Sequence, residues 1–280
     1  MNKSLRYTLL ALAIAGFNVG IVAAQKKGDD SMQCRDSYEN DRLQSHCEIK
    51  EQTLSAGGAI AVDAGQNGGV TVRGWERNEI LVRARIQTAA PTQAQADQLA
   101  REVRIETALL RIHAEGPEQR NDFNWWVSFE IYAPNLSDLS LEAHNGGISL
   151  ADVHGKIDFQ TQNGGVNLRR VGGNVRGHTT NGGVNVELAG ARWEGELLEV
   201  RTTNGGVNLA LPDSYSAHLE TGTVNGRVSF DFPVNVPMTE RGRLPRDITI
   251  DLGSGGPTIR LVTTNGGVRV RRSPARGMML

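Results

Sequence analysis

The sequence predicts an all-β repeat fold, a parallel β-solenoid of stacked coils about 18–23 residues each, with one short helix inserted near its N-terminal end. Three observations predict it. First, a turn phrase, Asn-Gly-Gly-Val or a close variant, recurs at Asn67, Asn145, Asn163, Asn181, Asn204 and Asn265, with an altered copy, Asn-Gly-Arg-Val, at Asn225. Second, the copies from Asn145 to Asn225 are spaced by 18, 18, 23 and 21 residues. Such self-similarity marks units that each bury a face on the next. Third, period-two apolar residues flank the turns, as in Leu139, Leu141 and Ala143 before Asn145 and Ile148 and Leu150 after it.

An antiparallel meander, with each Asn-Gly as a two-residue hairpin turn, is the alternative; it pairs Thr161 with Val166 and Phe159 with Leu168. The solenoid is preferred because stacking lays Asn145, Asn163, Asn181 and Asn204 over one another, where amide side chains can hydrogen-bond in a ladder. It also preserves the phase of the flanking residues when a unit grows from 18 to 23. At the corner itself, Asn and Gly tolerate positive φ, and a second Gly permits close backbone packing. Gly164→Val and Gly182→Val are therefore expected to destabilise the array, since a β-branched residue resists positive φ.

In chain order, residues 1–24 read as a secretory signal peptide: Lys3 and Arg6, an apolar middle from Leu9 to Val22, then small residues before Gln25. Residues 25–50 are a polar lead-in. Its cysteines, Cys34 and Cys47, are the only two in the chain, and an even count in an exported protein favours a disulfide. Residues 51–136 form an N-terminal β region in which Ile80, Val82, Ala84 and Ile86 alternate. Within it, Thr92 and Gln95 make a capping-box pattern for a helix over about 92–103, with Ala96, Leu99, Ala100 and Val103 on one face. Further on, Val127, Phe129 and Ile131 share one face of a strand, with Trp126 and Tyr132 on the other. The array proper spans 137–270. Pro233, Pro237 and Pro245 mark a looped insertion leaving it, and 271–280 is a frayed, disordered tail.

Composition limits the functional classes. Aromatics are 5% of the chain, so the core must be built from Val, Leu, Ile and Ala. Of 30 basic residues, Lys3 and Arg6 leave with the signal peptide, giving 28 against 31 acidic ones. That balance offers no electrostatic case for nucleic acid. No stretch after residue 24 reaches the ~18 apolar residues of a membrane helix, so no integral membrane segment is expected after signal cleavage.

The motifs exclude more chemistry than they offer. A phosphate loop needs a strand-to-helix context that the Asn-Gly-Gly phrases lack. Calcium-binding solenoids carry a recurrent Asp, whereas Val-Asn-Leu and Val-Asn-Val follow the glycines here. Glycan cleavage needs converging carboxylates. Asp152 with Asp158, and Glu187, Glu194, Glu196 and Glu199, are near one another in sequence but form no recognisable motif. No catalytic, metal or cofactor-binding residue is assigned, and no cofactor is expected. A binding surface is suggested by Trp125 and Trp126, which point to opposite sides of a strand, and by Arg169, Arg170, Arg176 and Arg201 as a basic strip along one face.

Several of these features occur in a particular order: a signal peptide, the Asn67–Trp75 segment Asn-Gly-Gly-Val-Thr-Val-Arg-Gly-Trp, a helix-containing insertion, Ile131–Asn135, then serial Thr-Asn-Gly-Gly-Val units. Over roughly residues 55–270 this resembles the bacterial putative-adhesin family of β-strand-repeat domains, toast-rack-like domains of unknown function found in exported envelope proteins. The resemblance implies a solenoid-like fold outside the cytoplasm and a non-enzymatic role, and carries over no catalytic residues. The expected protein is thus exported, to the periplasm or the cell surface, and acts as a structural or adhesin-like binding module toward an envelope protein or glycan. A polysaccharide-active solenoid enzyme is the first alternative. An accessory or sensing domain in an envelope-stress pathway is the second.

Overall fold

The computed structural model describes residues 32–34, 42–240 and 242–273. The predicted signal peptide and residues 274–280 lie outside the described residues. Strands β1 (Gln44–Ser55), β2 (Ile60–Asp63), β3 (Val70–Trp75) and β4 (Glu79–Ala90) come first. Helix α1 (Gln93–Glu102) follows, then β5 (Arg104–Glu106), β6 (Arg111–Glu115) and β7 (Asn124–Pro134). The repeats then supply strands in pairs: β8 (Leu139–Ala143) with β9 (Ile148–Ala151), and β10 (His154–Thr161) with β11 (Val166–Arg169). Next are β12 (Gly172–Asn181) with β13 (Val184–Glu187), and β14 (Leu197–Asn204) with β15 (Val207–Leu211). The last are β16 (Ala217–Asn225) with β17 (Val228–Phe230), the single strand β18 (Asp247–Leu252), and β19 (Thr258–Asn265) with β20 (Val268–Arg272).

Each pair is one coil, and its two strands enter two different ten-stranded sheets. The first sheet runs β1-β4-β7-β3-β9-β11-β13-β15-β20-β17, and the second β18-β16-β19-β14-β12-β10-β8-β2-β6-β5. Pairing along the stack is parallel and in register. Ile148, Val166, Val184 and Val207 succeed one another in the first sheet, and Leu139, Ile157, Val175 and Leu198 in the second. Phe159 pairs with Gly177 of the next coil and not with Leu168, so the solenoid holds and the meander does not. Inward residues are buried and their neighbours exposed along β8, β11 and β13. Each fully buried Val, Leu or Ile contributes about 1.5–3 kcal/mol relative to exposure, which explains how a core nearly without aromatics is sufficient. Gly177 occupies an inward position where a Cβ would stand 2.2 Å from the Phe159 ring, so the aromatic of one coil fills the space left by the next.

At the Asn corner the physical reason for glycine differs from the expected one. None of Gly146, Gly164, Gly182, Gly205 or Gly266 has positive φ. A Cβ on Gly164 would instead meet the Gly146 carbonyl oxygen at 2.0 Å, and one on Gly182 the Gly164 oxygen at the same distance. The first glycine is thus required by coil-to-coil approach. The second is the more permissive one: a Cβ on Gly165 or Gly183 finds its nearest neighbour at 3.5 or 3.6 Å, and one on Gly69 or Gly147 at 3.1 or 3.0 Å. The altered copy fits this rule, because Gly226 is kept and only the second position becomes Arg227.

The ends are closed by different means. At the N-terminal end β7 pairs parallel to β3, while β4 and β1 add antiparallel strands. Helix α1 packs on β1 and β4 through Ala96, Leu99 and Ala100. It starts at N-cap Thr92, whose hydroxyl accepts the Gln95 N–H. Strand β1 begins at Gln44, inside the stretch expected as a lead-in. It is an edge strand, so its polar residues face water and gave no alternation to read. At the other end, residues 231–240 and 242–246 do not leave the array. Phe232, Val236 and Leu244 fold back on the core, and Arg272 lies 3.9 Å over the Phe232 ring. Arg271 and Arg272, expected in the tail, belong to β20, which pairs with β15.

Candidate binding surfaces

Three polar constructions arise from the stacking. The first is the corner ladder, in which each Asn amide donates to the Asn of the neighbouring coil. The bonds run from Asn145 to Asn67 at 3.0 Å, from Asn163 to Asn145 and from Asn181 to Asn163 at 2.7 Å. They continue from Asn204 to Asn181, Asn265 to Asn204 and Asn225 to Asn265, each at 2.8 Å. Beneath it runs a buried second ladder that the sequence reading missed. Thr161, Thr179, Thr202, Thr263 and Thr223 each donate to the carbonyl of a neighbouring coil's first glycine at 2.7–2.8 Å. The available signal was the phrase Thr-x-Asn-Gly, in which Thr stands two residues before each of these asparagines. These polar groups satisfy one another, which assigns both ladders to the fold.

The second construction is the outer face of the second sheet. A depression of about 480 Å³ lies over β8, β10, β12 and β14, lined by Glu142, Asp158, Gln160, Arg176, His178, Glu199 and Arg201. Register sets its charge pattern: Arg176 lies between Asp158 and Glu199 on the flanking strands. Glu199 is engaged by Arg201, whose Nε and Nη2 donate to Oε1 at 3.0 and 2.5 Å.

The third is the outer face of the first sheet. Asn185 donates to Asn167 and Asn208 to Asn185, each at 3.0 Å. At the N-terminal end this face carries a buried ionic cluster, in which Arg83 Nη1 donates to Glu130 Oε2 at 2.5 Å and Arg73 Nε lies 3.4 Å from Oε1. Burial by itself lowers the Arg83 pKa, but the hydrogen bond to Glu51 and the charge of Glu130 outweigh it, and the net shift is upward. Sequence reading passed over Glu130, one acid within an otherwise apolar strand.

The basic residues expected as one strip are divided. Arg169 is on the first-sheet face, 3.5 Å from Glu187. Arg170 sits at the corner opposite the asparagines and donates two bonds of 2.6 Å to Asp152, which raise the Arg170 pKa. Arg176 and Arg201 are on the second-sheet face. Physically, Arg169 follows the Asn163 corner into β11 and Arg176 follows the next, opposite corner into β12, so they enter different sheets. The tryptophans divide as alternation requires. Trp125 packs against the core, its Nε1 donating to the Pro117 carbonyl at 2.9 Å, and Trp126 donates to Gln87 at 3.1 Å. Cys34 and Cys47 are joined in a disulfide.

Of the carboxylates considered for catalysis, Asp158 and Glu199 share the second-sheet depression and the others are spread out. Asp152 is at a corner and Glu187 on the first-sheet face; Glu194 lies 3.7 Å from His154, and Glu196 accepts from Asn174. Among the described residues no group of three His, Cys, Asp or Glu side chains could hold a metal ion. No described helix is long and apolar enough to cross a membrane.

Stacked parallel coils with an amide ladder at one corner and polar outer faces define a β-solenoid repeat domain. The chain belongs to the Toastrack DUF4097 family, a domain family of unknown function, whose model matches residues 50–271. No curated protein matches it. Among solved structures it is similar to a "putative cell adhesion protein" from Clostridium sporogenes ATCC 15579, at 11% identity and TM-score 0.42, covering 81% of this chain and 100% of that one. A "putative adhesin" from Bacteroides fragilis NCTC 9343 is 10% identical with TM-score 0.34, covering 81% and 97%. A "putative lipid binding protein" from Parabacteroides distasonis ATCC 8503 is 6% identical with TM-score 0.34 and the same coverage.

Proposed function

We propose that this protein is an exported, non-catalytic module of the bacterial cell envelope that binds an envelope protein or glycan through the outer face of its second sheet. The observation that carries the proposal is the depression over β8, β10, β12 and β14. There the coils present outward rows at about 4.8 Å intervals on a rigid stack, and extended faces of this kind are what solenoids use for recognition. The disulfide supports an oxidising compartment.

The enzymatic reading has one observation in its favour, that Asp158 and Glu199 line the same depression. They are two strands apart, roughly 10 Å by strand spacing, which approaches the separation of an inverting pair. Arg176 stands in register between them, however, and Glu199 is already held by Arg201. A cation between the two carboxylates and an ion pair on one of them do not match the free acid and base that glycan hydrolysis requires. The test is capture from envelope extracts and on a glycan array, with Arg176→Glu/Arg201→Glu as the variant. Loss of partner binding in the variant at unchanged melting temperature is expected. Release of reducing ends from a glycan panel by the wild-type chain would replace this reading with the enzymatic one.

A further inference from the structure

The outer face of the first sheet changes character along its length. Over the coils its central row is Ser149, Asn167, Asn185 and Asn208. At the N-terminal end the same row carries Glu130 and Arg83, with Tyr132 beside them and Trp75 5.4 Å from the Tyr132 ring. The Glu130 side chain is only 3% exposed, although it points away from the core. A buried ion pair contributes little to stability compared with apolar packing, so the fold alone does not account for it.

Part of what covers this cluster is the chain's own segment Met32–Cys34. The Met32 N–H donates to Glu130 Oε2 at 3.3 Å. Arg83 Nη2 donates to the Met32 carbonyl and Arg85 Nη1 to the Gln33 carbonyl, each at 3.4 Å. All three contacts engage main-chain groups. A carboxylate that accepts an N–H, beside two guanidinium groups that donate to successive carbonyls, reads an extended backbone whatever side chains it carries. Arg and aromatic residues together are also the usual composition of an interface hot spot.

We propose that this face is a docking site for an extended polypeptide, occupied here by the protein's own Met32–Cys34 segment and kept closed by the Cys34–Cys47 disulfide. The backbone already joins this segment to β1, and the disulfide shortens that link, so a partner strand competes against a raised effective concentration. Reduction by a dithiol, which ends as a disulfide while Cys34 and Cys47 become thiols, leaves only the longer backbone link, lowers that effective concentration and favours opening of the site. The inference is independent of the second-sheet reading above.

The test is an NMR titration of the full chain with a synthetic peptide of residues 30–36 carrying serine in place of Cys34, read on the Arg83 and Arg85 Nε–H and Trp126 indole resonances. The Cys34→Ser/Cys47→Ser chain is expected to shift saturably at a peptide concentration at least tenfold below that needed by the disulfide-closed chain. A peptide with proline at the Met32 position, lacking the N–H given to Glu130, should lose the effect, and Glu130→Gln in the protein should weaken it by about tenfold. Arg176→Glu/Arg201→Glu should leave it unchanged, which separates this site from the second-sheet face. If the double variant does not fold, the same titration is run on the wild-type chain before and after reduction. Equal shifts in the open and closed chains, or none in the open chain, would overturn the proposal.

Discussion

At the Asn corner, every coil passes from Asn through Gly-Gly or Gly-Arg into a strand that begins with Val or Ile; the connection is two residues after β12, β14, β16 and β19, four after β8 and β10, and six after β2. The opposite corner takes two residues after β9 and β11, nine after β13 and five after β15. The backbone chemistry differs as well. From Asn to the second glycine no residue has positive φ, and only the longer β2–β3 connection adds one, Gly65 at 63°, whereas the opposite corner uses Asp152 at φ 60°, Arg170 at 49° and Gly190 at 75°. Where the corner lengthens, Trp193 is buried and donates to the Gly173 carbonyl at 3.0 Å, anchoring the loop. One corner therefore fixes the register of the stack and the other absorbs changes in unit length. Repeats of 18 and 23 residues can stack because their insertions fall on the side that carries no ladder.

The largest expected effect tests the fixed corner directly. Gly164→Val should cost upwards of about 3 kcal/mol, because its side chain collides with backbone that cannot move without separating two coils. Gly165→Ala should change stability by no more than about 1 kcal/mol. Thermal melts decide this, at roughly 2–4 °C per kcal/mol for a chain of this size. Equal losses in the two variants would show that the corner is governed by conformation and not by approach.

An insertion experiment compares the two corners next. Two glycines added after Gly190 lengthen a loop that already varies and should cost under about 1 kcal/mol. The same insertion after Gly164 displaces Asn163, Thr161 and their ladder bonds and should abolish cooperative unfolding, as followed by circular dichroism. A smaller effect separates the two ladders. Thr179→Val should lose about 1–2 kcal/mol for a buried hydrogen bond to the Gly164 carbonyl. Asn163→Ala should lose about 1 kcal/mol, since its two ladder bonds are exposed to water.

The smallest effect lies at the N-terminal end, outside the coils. Hydrogen bonds from Gln93 and His46 hold the Asp97 carboxyl below its ordinary value of 3.8. A depressed folded-state value means that the contribution is present above the unfolded value and lost as pH falls through the folded one. The docking of α1 on β1 should therefore loosen slightly below about pH 4. Asp97→Asn should remove that dependence, measured by hydrogen exchange in residues 93–102.

Much of the repeat unit was legible because it rests on local rules. Alternation placed Leu139, Ile157, Val166 and Val184 inward, and the identical Asn phrases pointed to stacking. The helix was readable from Thr92 and Gln95 because a cap is a contact between near neighbours in sequence. Strand β1 was not readable, since an edge strand in water need not alternate. Nor was the division of Arg169 and Arg176 between two faces, which depends on a corner passing between them. The polar residues that gather around Glu130 come from β1, β3, β4 and β7, and nothing local in any one strand announces the others.

What the amino-acid sequence determined by itself is the coil: two short strands, an Asn-Gly corner that admits a neighbouring backbone, and an inward row of Val, Leu, Ile and Thr. What only the tertiary structure decided is the order in which the coils stack. The final coil, β19–β20, does not lie at the end but slides between β14–β15 and β16–β17, so Asn265 bridges Asn204 and Asn225. Every coil offers its neighbours nearly the same Thr, Asn, Gly and Val contacts, so their order is almost degenerate in local terms. The degeneracy is broken by β18, which pairs antiparallel to β16 at the sheet edge, and by Phe232 and Leu244, which fold back onto the core.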